Sequence, residues 1–249
     1  FLLLWIDPLA LRLHNICGPV FHCYSCPLAT FACPIGVLAS FSALHLFPFI
    51  AVGTLLVVAA LLGTFICGWV CPFGYLQDLA GRVTTFKFDL PAWTSLFRYV
   101  VLIAAVLAIP FFLGKDHFLA ICSFCPAGAL EGAVPNMVRQ YTASQAITWP
   151  NALKIAVTAF VLGSMFIHNR PWCRLLSPLG AIFGMFNRIS AFFLRFDTRK
   201  CSGCSKCHDH CRYGLKPEKE LNSSRCIRCL ECTQCKTGAV EVTHSLQDR

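Results

Sequence analysis

Eight cysteines fall within 35 residues toward the C-terminal end, in the two runs "CSGCSKCHDHC" and "CIRCLECTQC". The first run spaces Cys201, Cys204, Cys207 and Cys211 as C-x2-C-x2-C-x3-C. The second spaces Cys226, Cys229, Cys232 and Cys235 with two residues in every gap. Three closely spaced thiolates wrap one face of an iron–sulfur cubane, and a distant fourth closes the site. Zinc patterns usually place a long spacer between two C-x2-C pairs, so a pair of structural zinc sites is the weaker alternative. More cysteines stand beside apolar runs. Cys23, Cys26 and Cys33 lie in "CYSCPLATFACP", Cys67 and Cys71 in "CGWVCPFG", and Cys122 and Cys125 in "CSFCPAG". Cys173 opens "CRLLSPLG", where Ser177 takes the place of a second cysteine. Pro after a ligand removes a donor and fixes a turn. The Gly two residues beyond that Pro, in "CPIG", "CPFG" and "CPAG", lets the backbone approach a bulky cofactor. "CPLATF" after Cys26 lacks that Gly. Disulfides fit poorly, because the 17 cysteines are an odd number and most of the chain is apolar. Cys17 reads as a buried structural thiol.

These thiols need elements to place them. Of the 249 residues, 56% are hydrophobic and 13% charged, about half the ~25% charge of a soluble domain. That composition is a membrane protein's. Apolar runs occupy about 49–66, 96–114 and 152–167, and "FLLLWIDPLALRL" at the start reads as the end of a helix that begins earlier. The later runs are short against the ~20 residues of a span. Extended into their flanking turns, they give about four spans. Residues 76–88 and 178–194 mix Phe and Leu with basic residues and read as interfacial helices. The polarity changes at Asp197. The expectation is therefore a mainly α membrane domain over 1–197 and a short soluble domain over 198–249.

The membrane domain repeats itself. Cys23-x2-Cys26-Pro27 recurs as Cys122-x2-Cys125-Pro126, and "LGT" at 62–64 recurs as "LGS" at 162–164. "CGWVCPFG" corresponds to "CRLLSPLG", and "FKFD" at 86–89 echoes "LRFD" at 194–197. Two copies, about 1–97 and 98–197, then run parallel about an axis along the membrane normal. A span separates the two cysteine pairs of each copy, so the pairs belong on opposite faces. Cys23 and Cys26 meet Cys122 and Cys125 on one face, with Cys33 able to displace Cys23. Cys67 and Cys71 meet Cys173 and Ser177 on the other. Ser177 ligates weakly, is replaced by another group, or leaves the cluster one iron short. The membrane domain thus holds one or two clusters.

The tail resembles the bacterial two-cluster ferredoxin. That resemblance implies one [4Fe–4S] cluster on Cys201, Cys204, Cys207 and Cys235, and another on Cys226, Cys229, Cys232 and Cys211. "KTGAV" after Cys235 looks like the strand that follows the last ligand there. Two features depart from the pattern: the last gap of the second run is short, and Arg212 and Lys236 stand where Pro is usual. "CGWVCPFG", "WCRLLSPLGA" and the ferredoxin tail together resemble the NapH/NosR/CcoG class of polytopic membrane ferredoxins, over roughly residues 60 to 240. The resemblance implies a multi-pass electron carrier of a bacterial or archaeal cytoplasmic membrane. Its partners would be a cytoplasmic donor and a periplasmic reductase, cytochrome, flavoprotein or copper site. The quinol dehydrogenase and copper reductase readings stay open, as do quinone as a second cofactor and, outside electron transfer, a cluster sensor.

Charge sets the sides. Arg82, Lys87, Arg98, Arg170, Arg174, Arg188 and Arg195 face Arg12, Lys115, Arg139 and Lys154 across the spans. Seven against four makes the first face, with the ferredoxin tail, cytoplasmic. The formal +9 largely balances the negative charge of thiolate-bound clusters and does not indicate nucleic acid. His22 and His117 flank the outer thiols and read as interfacial histidines satisfied by water or backbone. No nucleophile–base constellation, phosphate loop or dinucleotide fingerprint occurs in the sequence.

Overall fold

The computed structural model describes residues 33–83, 88, 91–211, 213–235 and 237–244. Cys17, Cys23, Cys26, His22, Arg12 and Lys87 lie outside the described residues. Four helices start alike. Cys33, Cys71, Cys125 and Ser177 are extended, with φ/ψ of −69°/121°, −71°/118°, −67°/120° and −70°/113°. Each is followed by a Pro that opens a helix: Pro34–Ala43, Pro72–Gly81, residues 126–142 and Pro178–Phe186. Pro suits that first position, because its φ is already helical and the N–H it lacks would have no intrahelical acceptor.

Three apolar helices connect these starts: Phe49–Leu62, Ala92–Leu113 and Ala152–Met165. Ala92–Leu113, at 22 residues, is the one helix among the described residues long and apolar enough to cross a membrane. Its length is about 33 Å at the α-helical rise. The other two have 14 residues each and reach about 21 Å. Leu102–Ala108 is wound as wide π-type turns just before Pro110, and Gly128–Ala133 does the same before Pro135. Pro takes away a backbone donor and crowds the preceding turn, and a local π adjustment relieves the crowding. Ser42 Oγ donates to Leu107 O at 2.9 Å, satisfying a carbonyl in the widened segment.

Small side chains let these helices approach closely. Ala39, Ala51, Ala59 and Ala105 are buried at their contacts, as in membrane helix packing. Phe49, Val57, Ile103, Phe112 and Phe160 point outward and leave an apolar belt. Exposed Trp69, Tyr75 and Trp93 lie at one end of the bundle, and Tyr141 and Trp149 at the other. Such aromatic groups are typical of membrane–water boundaries.

Two expectations are corrected. The helix expected over 178–194 stops at Phe186, and Phe192–Phe196 is a strand, β1. Alternating burial along "FFLRF" suits a strand with one face packed. Its antiparallel partner is β2, Val240–His244, in register Phe192↔His244 through Phe196↔Val240. The sheet therefore straddles the polarity change at Asp197. The glycines of "LGT" and "LGS" are not equivalent either. Gly63 ends its helix at φ +55°, and a Cβ there would lie 2.7 Å from Asn187 Oδ1. Gly163 lies inside a helix with nothing within 4 Å of such a Cβ.

The cysteine-rich tail is seated on the helices by Arg228, which is 1% exposed. Its guanidinium donates to Leu62 O, Ser190 Oγ, Phe192 O, Asn187 O and Asn222 Oδ1. Thr64 Oγ1 and Asn187 Nδ2 donate to Cys226 O at 2.7 and 2.9 Å, and Arg98 Nη2 to Ser224 O at 2.8 Å. Arg228→Ala leaves several buried acceptors unpaired, at a cost of about 3 kcal/mol or more. The expected outcome is a lower denaturation midpoint and faster protease cleavage of the tail in the full chain. An unchanged midpoint and cleavage rate would remove Arg228 as the anchor.

Candidate cluster sites

The described thiols gather in four places. At one end of the bundle Cys33, Cys122 and Cys125 line a cavity of about 470 Å³ with Lys115, Asp116, Asn136, Trp149 and Lys154. Gly128 N–H donates to Cys125 Sγ at 3.4 Å. Cys23 and Cys26, expected at this end, lie outside the described residues. Lys154 is within electrostatic reach of Cys122, a role that its place in the sequence does not signal.

Cys67, Cys71, Cys173 and Ser177 line one closed recess at the opposite end, with Phe73, Arg98, Trp172, Leu179 and Ile227. Its free volume is about 20 Å³, so this site is closely packed where the first is open. Cys67 feels Cys71 and Cys173 electrostatically. Two short helices, Phe65–Trp69 and Pro171–Leu175, deliver Cys67 and Cys173, and the Pro-started helices deliver Cys71 and Ser177. Gln77 Nε2 donates to Cys173 Sγ at 3.0 Å, while Gln77 Oε1 accepts from Trp172 N–H at 3.2 Å. Arg170, 1% exposed, grips the Asp78 carboxylate with Nε and Nη2 and donates to Cys67 O and Gly68 O. Sequence reasoning misses Gln77, Asp78 and this role of Arg170. A Gln six residues past Cys71 carries no signal of its own until the Pro171–Leu175 helix folds against it.

In the tail, Cys211, Cys226, Cys229 and Cys232 line a recess walled by Leu194, Leu215, Leu221, Ile227 and Leu230. Burial pushes Cys226 and Cys232 up to about 12, and Cys229 up as well. Cys235 lies instead within electrostatic reach of Cys204 and Cys207. This second group is more open: Cys204 is exposed. The Lys206 backbone N–H and the Ser202 hydroxyl hold the Cys204 thiol below its ordinary value. The Thr237 hydroxyl and the backbone N–H groups of Thr237 and Ala239 do the same for Cys235. Gly203 N–H points at Cys201 Sγ, 3.4 Å away.

The donor chemistry fits iron–sulfur clusters. The inner recess and the buried tail recess are walled mainly by apolar groups, and backbone N–H groups turn toward several of the sulfurs in the tail. Arg98 Nε, buried beside the inner thiols, has no hydrogen-bond partner among the described residues, as a cation facing a cluster's negative charge would.

Ile227 lines both the inner recess and the buried tail recess. Tyr213 stands by the same wall, within electrostatic reach of Cys229 and Cys173. Gly68 makes the approach possible, since a Cβ there would lie 2.8 Å from Ile227 O. With this grouping, Cys211→Ala is expected to lose the same paramagnetic signal as Cys226→Ala, and Cys235→Ala the same one as Cys204→Ala. If Cys211→Ala and Cys204→Ala lost one signal in common, the grouping would not describe the loaded protein.

The family described as 4Fe-4S binding domain matches the chain twice, at residues 44–91 and 148–197. Both segments lie in the helical domain, not in the tail. An uncharacterised protein of Methanocaldococcus jannaschii, MJ0749, is 31% identical over 196 residues, covering 74% of this chain and 66% of that protein. The putative electron transport protein YccM of Escherichia coli is 25% identical over 210 residues, covering 77% of this chain and 54% of YccM. The regulatory protein NosR of Stutzerimonas stutzeri is 26% identical over 173 residues, covering 64% of this chain and 21% of NosR. The chain thus spans about two thirds, half and a fifth of these relatives. No solved structure matches it. With its Cys-Pro helix starts, its thiol-lined recesses and these relatives, the chain belongs to the polyferredoxin-type 4Fe-4S proteins.

Proposed function

We propose that the chain is a multi-pass membrane electron carrier that passes electrons between its ferredoxin-like tail and the opposite membrane face. The carrying observation is that Ile227 walls both the buried tail recess and the inner recess. Four thiol groups then form a series. The Cys201, Cys204, Cys207 and Cys235 group, with Cys204 exposed, meets a soluble donor or acceptor. The Cys211, Cys226, Cys229 and Cys232 group lies next, then the inner Cys67, Cys71 and Cys173, and at the far end Cys33, Cys122 and Cys125. The tail carries two [4Fe–4S] clusters, and the helical domain carries a further cluster at each of its ends.

The double match of the 4Fe-4S binding domain supports a duplicated helical domain. The apolar belt, the aromatic groups at both ends and the 22-residue helix support a membrane setting. Continued by their flanking turns, the two shorter helices join the 22-residue helix as spans, and the first of the four expected spans lies outside the described residues. The charge bias puts the tail on the cytoplasmic side, and a redox subunit of a larger complex meets the far end. Arg98 lies at the inner recess and Lys115 at the outer cavity, 17 residues apart along one helix and its end. That is about 25 Å of helix, so the step between the two ends is the longest of the series. The open far cavity, with Trp149 and two lysines at its walls, favours a second reading. There a small acceptor or donor such as a quinone headgroup docks beside the outer thiols.

The experiment uses the full chain, iron-loaded, in sealed liposomes with ferricyanide inside. An impermeant low-potential reductant added on the tail side is expected to bleach the trapped ferricyanide, and Cys71→Ala to slow this at least tenfold. Equal bleaching by Cys71→Ala, or by liposomes without protein, would contradict the relay. In the metal-free chain, impermeant thiol labels are expected to reach Cys122 and Cys204 from opposite sides. Labelling of both from one side would contradict the arrangement. A colourless purified protein with bound zinc would replace the iron–sulfur reading altogether.

A further inference from the structure

The inner recess departs from the fourfold thiol symmetry of a ferredoxin site. Its lining contains three thiols, Cys67, Cys71 and Cys173, and no carboxylate or imidazole among the described residues. Ser177 holds the fourth place. Its backbone, at φ/ψ −70°/113°, matches that of Cys71 at −71°/118°, so its Cβ is presented as a ligand's would be. The difference lies in the atom beyond. Ser177 Oγ accepts the Gly180 N–H at 3.2 Å and caps the Pro178–Phe186 helix. A C–O bond also reaches less far than the C–S bond of the equivalent cysteine, and the hydroxyl is neutral where a cysteine ligand is a thiolate. The Thr64 hydroxyl and the Ser224 carbonyl at the recess are committed. Thr64 Oγ1 donates to Cys226 O, and Ser224 O accepts from Arg98.

Resting on the reading of this recess as an iron–sulfur site, we propose that the inner cluster is held by three thiolates only, with Ser177 acting as a helix cap and not as a ligand. One iron of a four-iron cluster then has no protein anion. That iron is labile. Oxidation of [4Fe–4S]2+ by ferricyanide releases it as Fe2+ with one electron passed to the oxidant, leaving [3Fe–4S]+. The missing thiolate also lowers the negative charge around the metal, which buried Arg98 and Arg170 already offset. Lower net negative charge favours the reduced state. The inner cluster is therefore the more readily reduced neighbour of the four-thiolate tail clusters, and electrons run from the tail into the membrane domain.

The test uses the full chain, iron-loaded in detergent, with ferricyanide oxidation followed by quantitative electron paramagnetic resonance and iron analysis. Wild type is expected to yield one more three-iron cluster per chain than Ser177→Cys, whose fourth thiolate retains the iron. Ser177→Ala is expected to keep the wild-type iron content and signal, and Ser177→Cys to shift the inner cluster to a lower reduction potential. Loss of inner-site iron in Ser177→Ala would make Ser177 a ligand and overturn the inference. So would equal three-iron yields from wild type and Ser177→Cys. Failure of the underlying reading looks different: Cys67→Ala, Cys71→Ala and Cys173→Ala would then all keep wild-type iron content.

Discussion

One buried guanidinium holds the tail and the helices of this molecule in register. Arg228 sits at φ +53°, between Cys226 and Cys229, and reaches the carbonyls of Leu62, Asn187 and Phe192. These acceptors come from the end of an apolar helix, the end of a Pro-started helix and the first residue of β1. A charge buried this deeply is tolerated because both terminal nitrogens of the guanidinium find acceptors, so the tail seats in one way. Gly63 and Gly68 leave the space that this seating needs: side chains there would meet Arg228, Asn187 or the Ile227 carbonyl. The result is a docked tail with one wall, Ile227, between two thiol recesses. A swinging domain would give no fixed wall.

The second organising device is the repeated helix start. Extended Cys or Ser followed by Pro-x-Gly occurs at Cys33, Cys71, Cys125 and Ser177, two at each end of the bundle. The repeat sets up pseudo-symmetric sites, and the residues around them break the symmetry. Gln77 bonds to Cys173, whereas the position six past Ser177 is Phe183. Asp78 clamps Arg170, whereas the next position of the second copy is Gly184, packed against Arg98 and Ser224. Gln77 and Asp78 thus supply a polar shell for these thiols, and Gly184 supplies room for the tail.

The thiol spacings and the apolar runs were legible in the sequence, because ligand spacing and hydropathy are local properties. The end of the Pro178–Phe186 helix was less so. "GMFNRISAFFLRF" keeps an apolar-basic mixture that a helix or a strand can use. Pairing with β2, on the far side of every tail cysteine in sequence, decides for the strand. The walls of the sites were not legible at all. Ile227 separates two recesses only because Cys226 O is held by Thr64 and Asn187, which lie 162 and 39 residues away along the chain. Arg170 read as one charge among seven on a face, and in the fold it is a buried brace for Cys67 and Asp78.

Across Ile227 the buried tail site and the inner site are immediate neighbours, and the proposed relay depends on that adjacency. Magnetic interaction between their reduced clusters tests it most directly, read as splitting or enhanced relaxation in electron paramagnetic resonance of the fully reduced full chain. The expected result is an interaction that disappears in Cys71→Ala and weakens in Gly68→Val, whose side chain pushes Ile227 away while all cluster ligands remain. Two non-interacting signals in the wild type, with all iron in place, would contradict it.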